Sequence, residues 1–398
     1  MLSSDISRVD CQALQGLCDT RCPEGAAVDF KRELPGNADR DRHEFLKDVC
    51  ALANANGGDL VYGIDEEDGC AKELRPIEVE AADVALRRLG QILDSGIEPR
   101  IPGVQFQVVP CAPGYCLVLR VPGSYNGPHR YLFNNHSKFV IRNGTHTTEL
   151  SYEQLRGAFD RTASLGARAA EWIGQRTQLI AKGETSVPTY AGPLCVVHVV
   201  PLAAFSGRLA PDLVGLRRDH SQLRFSDWRS SSALLNLDGV VAMTRVGASD
   251  DPAFGCTQVF RSGALEAIRF GGSAVRPDAE VIPSTVVTVF FRDAMLKLLT
   301  LARESGASGP ALVRCALLHV HGYEFGVGGN GWQLNRAFSD RADLVLPDVW
   351  IDAIERPDST SEIDRTARPI LEVLWQAFGL DSCQEYRADG MWDPRMPY

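Results

Sequence analysis

The stretch VDFKRELPGNADRDRHEFLKDVCALANANGGDLVYGIDEEDG, residues 28–69, decides the fold class. Val28, Phe30, Arg32 and Leu34 alternate with Asp29, Lys31 and Glu33, which is the two-residue period of a half-buried strand. Asp29 and Lys31 therefore share a face. Pro35-Gly36-Asn37 breaks the strand, and Phe45, Val49, Leu52 and Ala53 then recur at helical spacing. Asn54-Ala55-Asn56-Gly57-Gly58 ends that helix with residues that accept positive φ. Leu60–Ile64 reads as a buried strand, and the short connecting helix favours it as a sheet neighbour of the Asp29 strand.

Outward from this unit, a second helix is expected around Val84–Leu93. Strands are expected near Val104–Val109, Tyr115–Val121 and Lys138–Arg142, with Pro and Gly between them. The pattern is helical from Glu149 to Ile180. Beyond it PLCVVHVVPL (193–202), GVVAMTRV (239–246), TQVFRSGALEAIRF (257–270) and VRCALLHVHGYEFGV (313–327) read as strands or hairpins, the third turning at Arg261-Ser262-Gly263. Helical runs at Val286–Arg303 and Ile370–Phe378 complete a second α+β domain. The 398 residues are expected to fold as an α/β (α+β) domain over 1–160, a helical linker over 161–190 and an α+β domain over 191–398.

There is no run of eighteen apolar residues, and MLSSDISRVDCQALQG lacks the basic and apolar regions of a leader. The expectation is a cytoplasmic protein with no membrane partner. Eleven cysteines without a CxxC pair suggest reduced, structural thiols; a zinc set of Cys18, Cys22, Cys111 and Cys116 has loose spacing. The net charge of −10 argues against a generic nucleic-acid coat. The average hides an asymmetry. Pro99–Thr148 contains no Asp or Glu, yet holds Arg100, Arg120, Arg130, Lys138, Arg142, His129, His136 and His146. Two readings follow: these bases pair with acidic neighbours, or they form a surface for a polyanion.

The pieces DFKRELP, ANANGGDLVYGIDEEDG, RVPGSYNGPHR and FVIRNGTHT, in this order, resemble the Schlafen-type AlbA domain over roughly residues 20–160. The resemblance implies a mixed sheet with helices that binds nucleic acid, RNA ahead of DNA. In the vertebrate members it also implies endoribonuclease activity through three carboxylates. The matching positions here are Glu24, Asp29 and Glu66, with Asp65 adjacent. The family's nucleases carry Glu at the position of Asp29 and Asp at that of Glu66. Carboxylates converging on a point could hold Mg²⁺ or Mn²⁺, and Lys31 could stabilise charge on a scissile phosphate; the other reading of Asp29 and Lys31 is a solvated strand face.

Phosphate contacts are assigned to Arg130, Lys138 and Arg142 with His129 and His146, since the guanidinium fork matches phosphate oxygens. Tyr125, Tyr131 and Phe139 are interleaved as base-stacking or core residues. Gly57 and Gly58 either cap the helix or admit a close neighbour, and Asn54 and Asn56 either cap it or reach a ligand. GxxxxGK[ST] does not occur, which weighs against a nucleotide (ATP)-binding protein. His319 and His321 fall two apart on an expected strand, half of a metal site at most. A non-catalytic DNA- or RNA-binding module is the rival reading. For the second domain a sensor, a specificity unit and a homo-oligomer surface all remain open.

Overall fold

The computed structural model describes residues 2, 6–134, 136–205, 209–228, 230–245, 251–272, 280–307, 309–327, 337–352, 354, 360–387 and 389–394. The chain divides into two compact units, Met1–Ser164 and Leu165–Tyr398, both mixing helices with sheet.

The first unit runs α1 (Cys11–Asp19), β1 (Val28–Lys31), α2 (Asp39–Asn54), β2 (Gly57–Tyr62), β3 (Ile64–Glu67), β4 (Cys70–Leu74), α3 (Ala82–Gly96) and β5 (Ile97–Glu98). There follow β6 (Gln105–Cys111), β7 (Gly114–Pro122), β8 (Arg130–Phe133), β9 (His136–Lys138), β10 (Val140–Asn143) and β11 (His146–Glu149). The central sheet has the order β1-β2-β7-β6, with β1 parallel to β2 and Asp29 opposite Leu60. The two-residue period sorts the side chains. Leu60 and Tyr62 pack with Phe45, Val49 and Leu52 of α2, whereas Phe30 and Val61 pack with Leu14 and Leu17 of α1. Asp29 and Lys31, flanking Phe30, therefore face the α2 side.

Between α2 and β2 the chain turns at Gly57, whose φ is +75°. A Cβ there would stand 2.5 Å from the Gly123 nitrogen and the Val121 carbonyl oxygen, so the glycine admits the end of β7 rather than a ligand. Asn54 bridges the same corner: its Nδ2 donates to the His129 and Val140 carbonyls (2.7 and 2.9 Å), and its Oδ1 accepts from the His129 N–H (2.7 Å).

Two expectations need correction here. The strand anticipated at Lys138–Arg142 is broken at Phe139: β9 belongs to the sheet β5-β8-β9 and β10 pairs with β11. The thiols are not all reduced either. A disulfide joins Cys11 at the start of α1 to Cys111 at the end of β6, because α1 packs across the sheet and brings together residues 100 apart in sequence. That bond takes Cys111 out of the zinc set; Cys18, Cys22 and Cys116 are free thiols.

α4 (Tyr152–Ala181) runs through the division between the units. The second unit adds β12 (Leu194–Pro201), α5 (Leu213–Arg218), β13 (Ser232–Leu235), β14 (Gly239–Thr244), β15 (Gly255–Phe260), β16 (Leu265–Phe270) and β17 (Val281–Pro283). It continues with α6 (Ser284–Glu304), β18 (Ala311–Leu318), β19 (Glu324–Gly326), β20 (Leu344–Val345), β21 (Val349–Ile351) and α7 (Thr360–Gln376). An antiparallel sheet of order β13-β14-β15-β16-β12-β18-β20, with β21 also on β18, is covered by α6 and α7 on one face. Ile180 and Val187 lie against the other face. The turn Arg261-Ser262-Gly263 joins β15 to β16, with Gly263 at φ +88°.

One polar row crosses this apolar sheet: Gln258 lies opposite Glu266, Glu266 opposite His198, and His198 opposite Arg314. Arg176 of α4 covers it with a bidentate pair to Glu266 (3.0 and 2.9 Å), and His198 Nε2 lies 3.0 Å from the same carboxylate. His319 follows β18 rather than lying in it; φ is +58° and its ring nitrogens face the Ala181 and Gly192 carbonyls, so the expected His319–His321 strand face does not form. Among the described residues no helix is long and apolar enough to cross a membrane.

Candidate functional site

Glu24, Asp29 and Lys31 do come together, on the α2 side of the first sheet. Glu24 precedes β1 and is fixed at both ends. Its N–H donates to the Gly69 carbonyl in the β3–β4 turn (2.8 Å), and its Oε1 accepts from the Phe30 N–H (2.7 Å). Asp29 is buried and bound by two cations, Lys31 Nζ at 3.0 Å and Arg142 Nη1 at 3.1 Å. Arg142 spends its remaining nitrogens on the Gly25 carbonyl (3.2 Å) and the Gly144 carbonyl (2.9 Å). It is a clamp from β10 onto β1.

The sequence reading missed two members. Asp48 of α2 lies 3.9 Å from Lys31 Nζ, so the ammonium sits between two carboxylates, and the Tyr62 phenol is buried beside Asp48 and Asp29. Asp48 was findable: it lies three residues after Phe45 and four before Leu52, a carboxylate on the apolar stripe of its helix.

Burial and like charge set the protonation. The Glu24 carboxyl is pushed up to about 8, first by burial, then by its hydrogen bond with Asp29 and the charges of Asp29 and Glu66. Asp29 goes the other way. Burial opposes its charge, but the Glu24 hydrogen bond and the Lys31 and Arg142 cations outweigh it and hold it below the usual carboxylate range. Burial raises Asp48 to about 6 against the pull of Lys31. For Lys31, burial is outweighed by Asp29 and Asp48, and its pKa is raised. Glu24 therefore holds its proton to higher pH than an ordinary carboxyl, while Asp29 keeps its charge to lower pH.

This arrangement does not fit a divalent ion. Among the described residues no three His, Cys, Asp or Glu side chains are placed to hold one. Asp29 is already charge-balanced by two cations, and Glu24 is committed to Phe30 and to Asp29. Asp65 pairs with Arg32 at 3.6 Å, and Glu66 is exposed on β3, near enough to act on Glu24 only through its charge.

The residues assigned to phosphate divide by burial. Arg142 and His129 are corrected: Arg142 is locked on Asp29, and His129 is wholly buried, its ring nitrogens 2.6 Å from the Pro99 carbonyl and Ser124 Oγ. Burial lowers the His129 pKa. Arg130 pairs with Glu98 (2.6 Å) and Lys138 with Glu149 (3.0 Å), both pairs solvent-exposed, and His146 is exposed on β11. Arg120 makes a bidentate pair with Asp59, 2.8 Å on each arm, and Arg100 stands 3.8 Å from Asp94. Every Lys and Arg of the acid-free stretch thus meets a carboxylate from outside it. Tyr125 and Tyr131 are buried, Tyr131 against His43, while Phe139 meets Phe159 edge-on.

With this geometry in hand, residues 24–151 match the Schlafen, AlbA_2 family model, end to end with the sheet, α2 and the β8–β11 strands just described. The match includes no part of the second unit. No curated protein matches the chain. Among solved structures, the N-terminal domain of a RecG-related protein from Nitrosomonas europaea is 21% identical, with 38% of this chain and 97% of that chain covered and a TM-score of 0.27. The DIP2311 protein of Corynebacterium diphtheriae is 18% identical, with 49% and 29% covered and a TM-score of 0.25; the chain spans less than a third of that protein.

Proposed function

We propose that the Schlafen AlbA_2 domain of this chain is a nucleic-acid-binding module that holds its ligand without cutting it. The match to the Schlafen, AlbA_2 family model supports the ligand class. The observation that carries the second half is the Asp29–Arg142 ion pair, with side-chain exposures of 5% and 3%: the central carboxylate of the implied metal site is spent on fold-internal charge. Phosphate contacts fall to Arg130 and Lys138. Exposed ion pairs contribute little and exchange readily for a phosphate, whereas buried ones do not.

The test is fluorescence anisotropy on single-stranded RNA, tRNA and duplex DNA across a salt series, with EDTA or with Mg²⁺ and Mn²⁺. Binding is expected to persist in EDTA without cleavage products. Changing Arg130 and Lys138 together to Ala should lower the salt slope by about 0.7 per lost contact on single strands. Metal-dependent cleavage that Asp29→Asn abolishes would replace this proposal with a nuclease, and absence of binding to all three ligands would overturn it.

A further inference from the structure

The second unit contains a cleft of about 660 Å³ between α6 and the segment Ser221–Trp228, outside the family match and the site above. Its floor is apolar: Phe225, Trp228 and Leu301 are all buried, Phe225 packs on Trp228 and on Phe290, and Leu296 lines the side. Gln222, Ser226 and Thr300 add polar groups. This size and mixture is that of a small-molecule site.

The charges around the cleft are unequally satisfied. Asp293 lies 3.5 Å from Arg292, and Arg224 donates to the Trp228 carbonyl (3.0 Å). Glu304 is exposed at the helix end. Lys297 is different. Its ammonium donates to the Gln222 carbonyl (2.9 Å) and lies 5.7 Å from the centre of the Phe225 ring, but among the described residues no carboxylate comes within 4.0 Å. Burial lowers its pKa, against the more distant pull of Glu304 and Asp293. A half-buried ammonium with one carbonyl partner and a ring face has unused donors, and a carboxylate takes them best.

We propose that this cleft binds a small monocarboxylic acid with a flat or branched apolar body, the carboxylate on Lys297 and the body over Phe225, Trp228 and Leu301. A polyphosphate is disfavoured on charge, since the lining's two cations, Lys297 and Arg224, are offset by two acids, Asp293 and Glu304. The second unit is then a ligand-responsive domain, and the proposal stands independently of what the first unit binds.

Benzoate and indole-3-acetate, with the neutral benzamide and indole-3-acetamide, test it by calorimetry on the full chain. The acids should bind and the amides about tenfold more weakly, because the charge-assisted hydrogen bond is lost. Lys297→Met, which keeps the apolar stem, should erase the difference. Should that variant fail to fold, wild-type protein still decides: the acids should slow reductive methylation of Lys297, read by peptide mass spectrometry, several-fold more than the amides do. Equal binding of acid and amide, no binding of either acid, or a methylation rate at Lys297 that the acids leave unchanged would overturn the assignment.

Discussion

Replacing Arg142 by methionine strands the Asp29 carboxylate in the first sheet. The two charges are 3.1 Å apart; at an effective dielectric constant near 20 their attraction is about 5 kcal/mol. Lys31 remains 3.0 Å from Asp29, but at 38% side-chain exposure solvent screens it and it recovers only part. Methionine fills the stem but forfeits the bonds to the Gly25 and Gly144 carbonyls. The expected loss is about 3–4 kcal/mol, within the range for breaking a buried pair from one side. Asp29→Asn combined with Arg142→Met removes the orphan charge and should recover about 2 kcal/mol of that loss. All six tryptophans lie beyond residue 164, so tryptophan fluorescence does not report on this unit. Native-state hydrogen exchange of the β1 and β2 amides does. A loss below about 1 kcal/mol for Arg142→Met, or strict additivity in the double variant, would refute the clamp.

The raised carboxyls give a second prediction. Glu24 at about 8 and Asp48 at about 6 bind protons more tightly folded than unfolded. Stability of the first unit should therefore fall as pH rises from the ordinary carboxylate range through about 6 and on to about 8, the reverse of the Asp29 contribution. Glu24→Gln should flatten the upper part of that fall in a pH series of unfolding curves; an unchanged slope would show that Glu24 does not hold the proton. Third, peptide mapping without reductant should recover residues 11 and 111 in one linked peptide. Closing so long a loop contributes roughly 2–4 kcal/mol, so Cys11→Ser should lower the unfolding midpoint of the first unit, and two free thiols in the map would remove the crosslink.

The β1–α2–β2 core was legible in the sequence because its period changes from two to helical spacing, with glycine or proline marking each change. Pairings across the topology were not. Arg142 and Asp29 are 113 residues apart and Cys11 and Cys111 are 100 apart, and nothing local announces either. The acid-free stretch left two readings open, and its ion pairs favour the one in which its bases meet acidic neighbours. Its partners Asp29, Asp59, Glu98 and Glu149 all lie outside it, so counting charge along the chain located a basic segment without locating a basic surface. The resemblance named the carboxylates Glu24 and Asp29 together, but which cation would meet them depended on where β10 crosses, and Asp48 was hidden among the apolar positions of its own helix.

The polar row of the second sheet has a consequence for how its strands find one another. β12, β14, β15 and β16 are buried throughout, so valine would meet isoleucine or alanine almost as well after a shift along the neighbour. Hydrophobic pattern alone is a poor ruler there. If β16 slid by two residues against β12, Glu266 would face Val196 or Val200 in place of His198, and its carboxylate would lose the imidazole while remaining buried. One misplaced charge costs more than many equivalent methyl contacts return. His198 and Glu266 thus act as a key between two otherwise interchangeable tracks, admitting a single alignment.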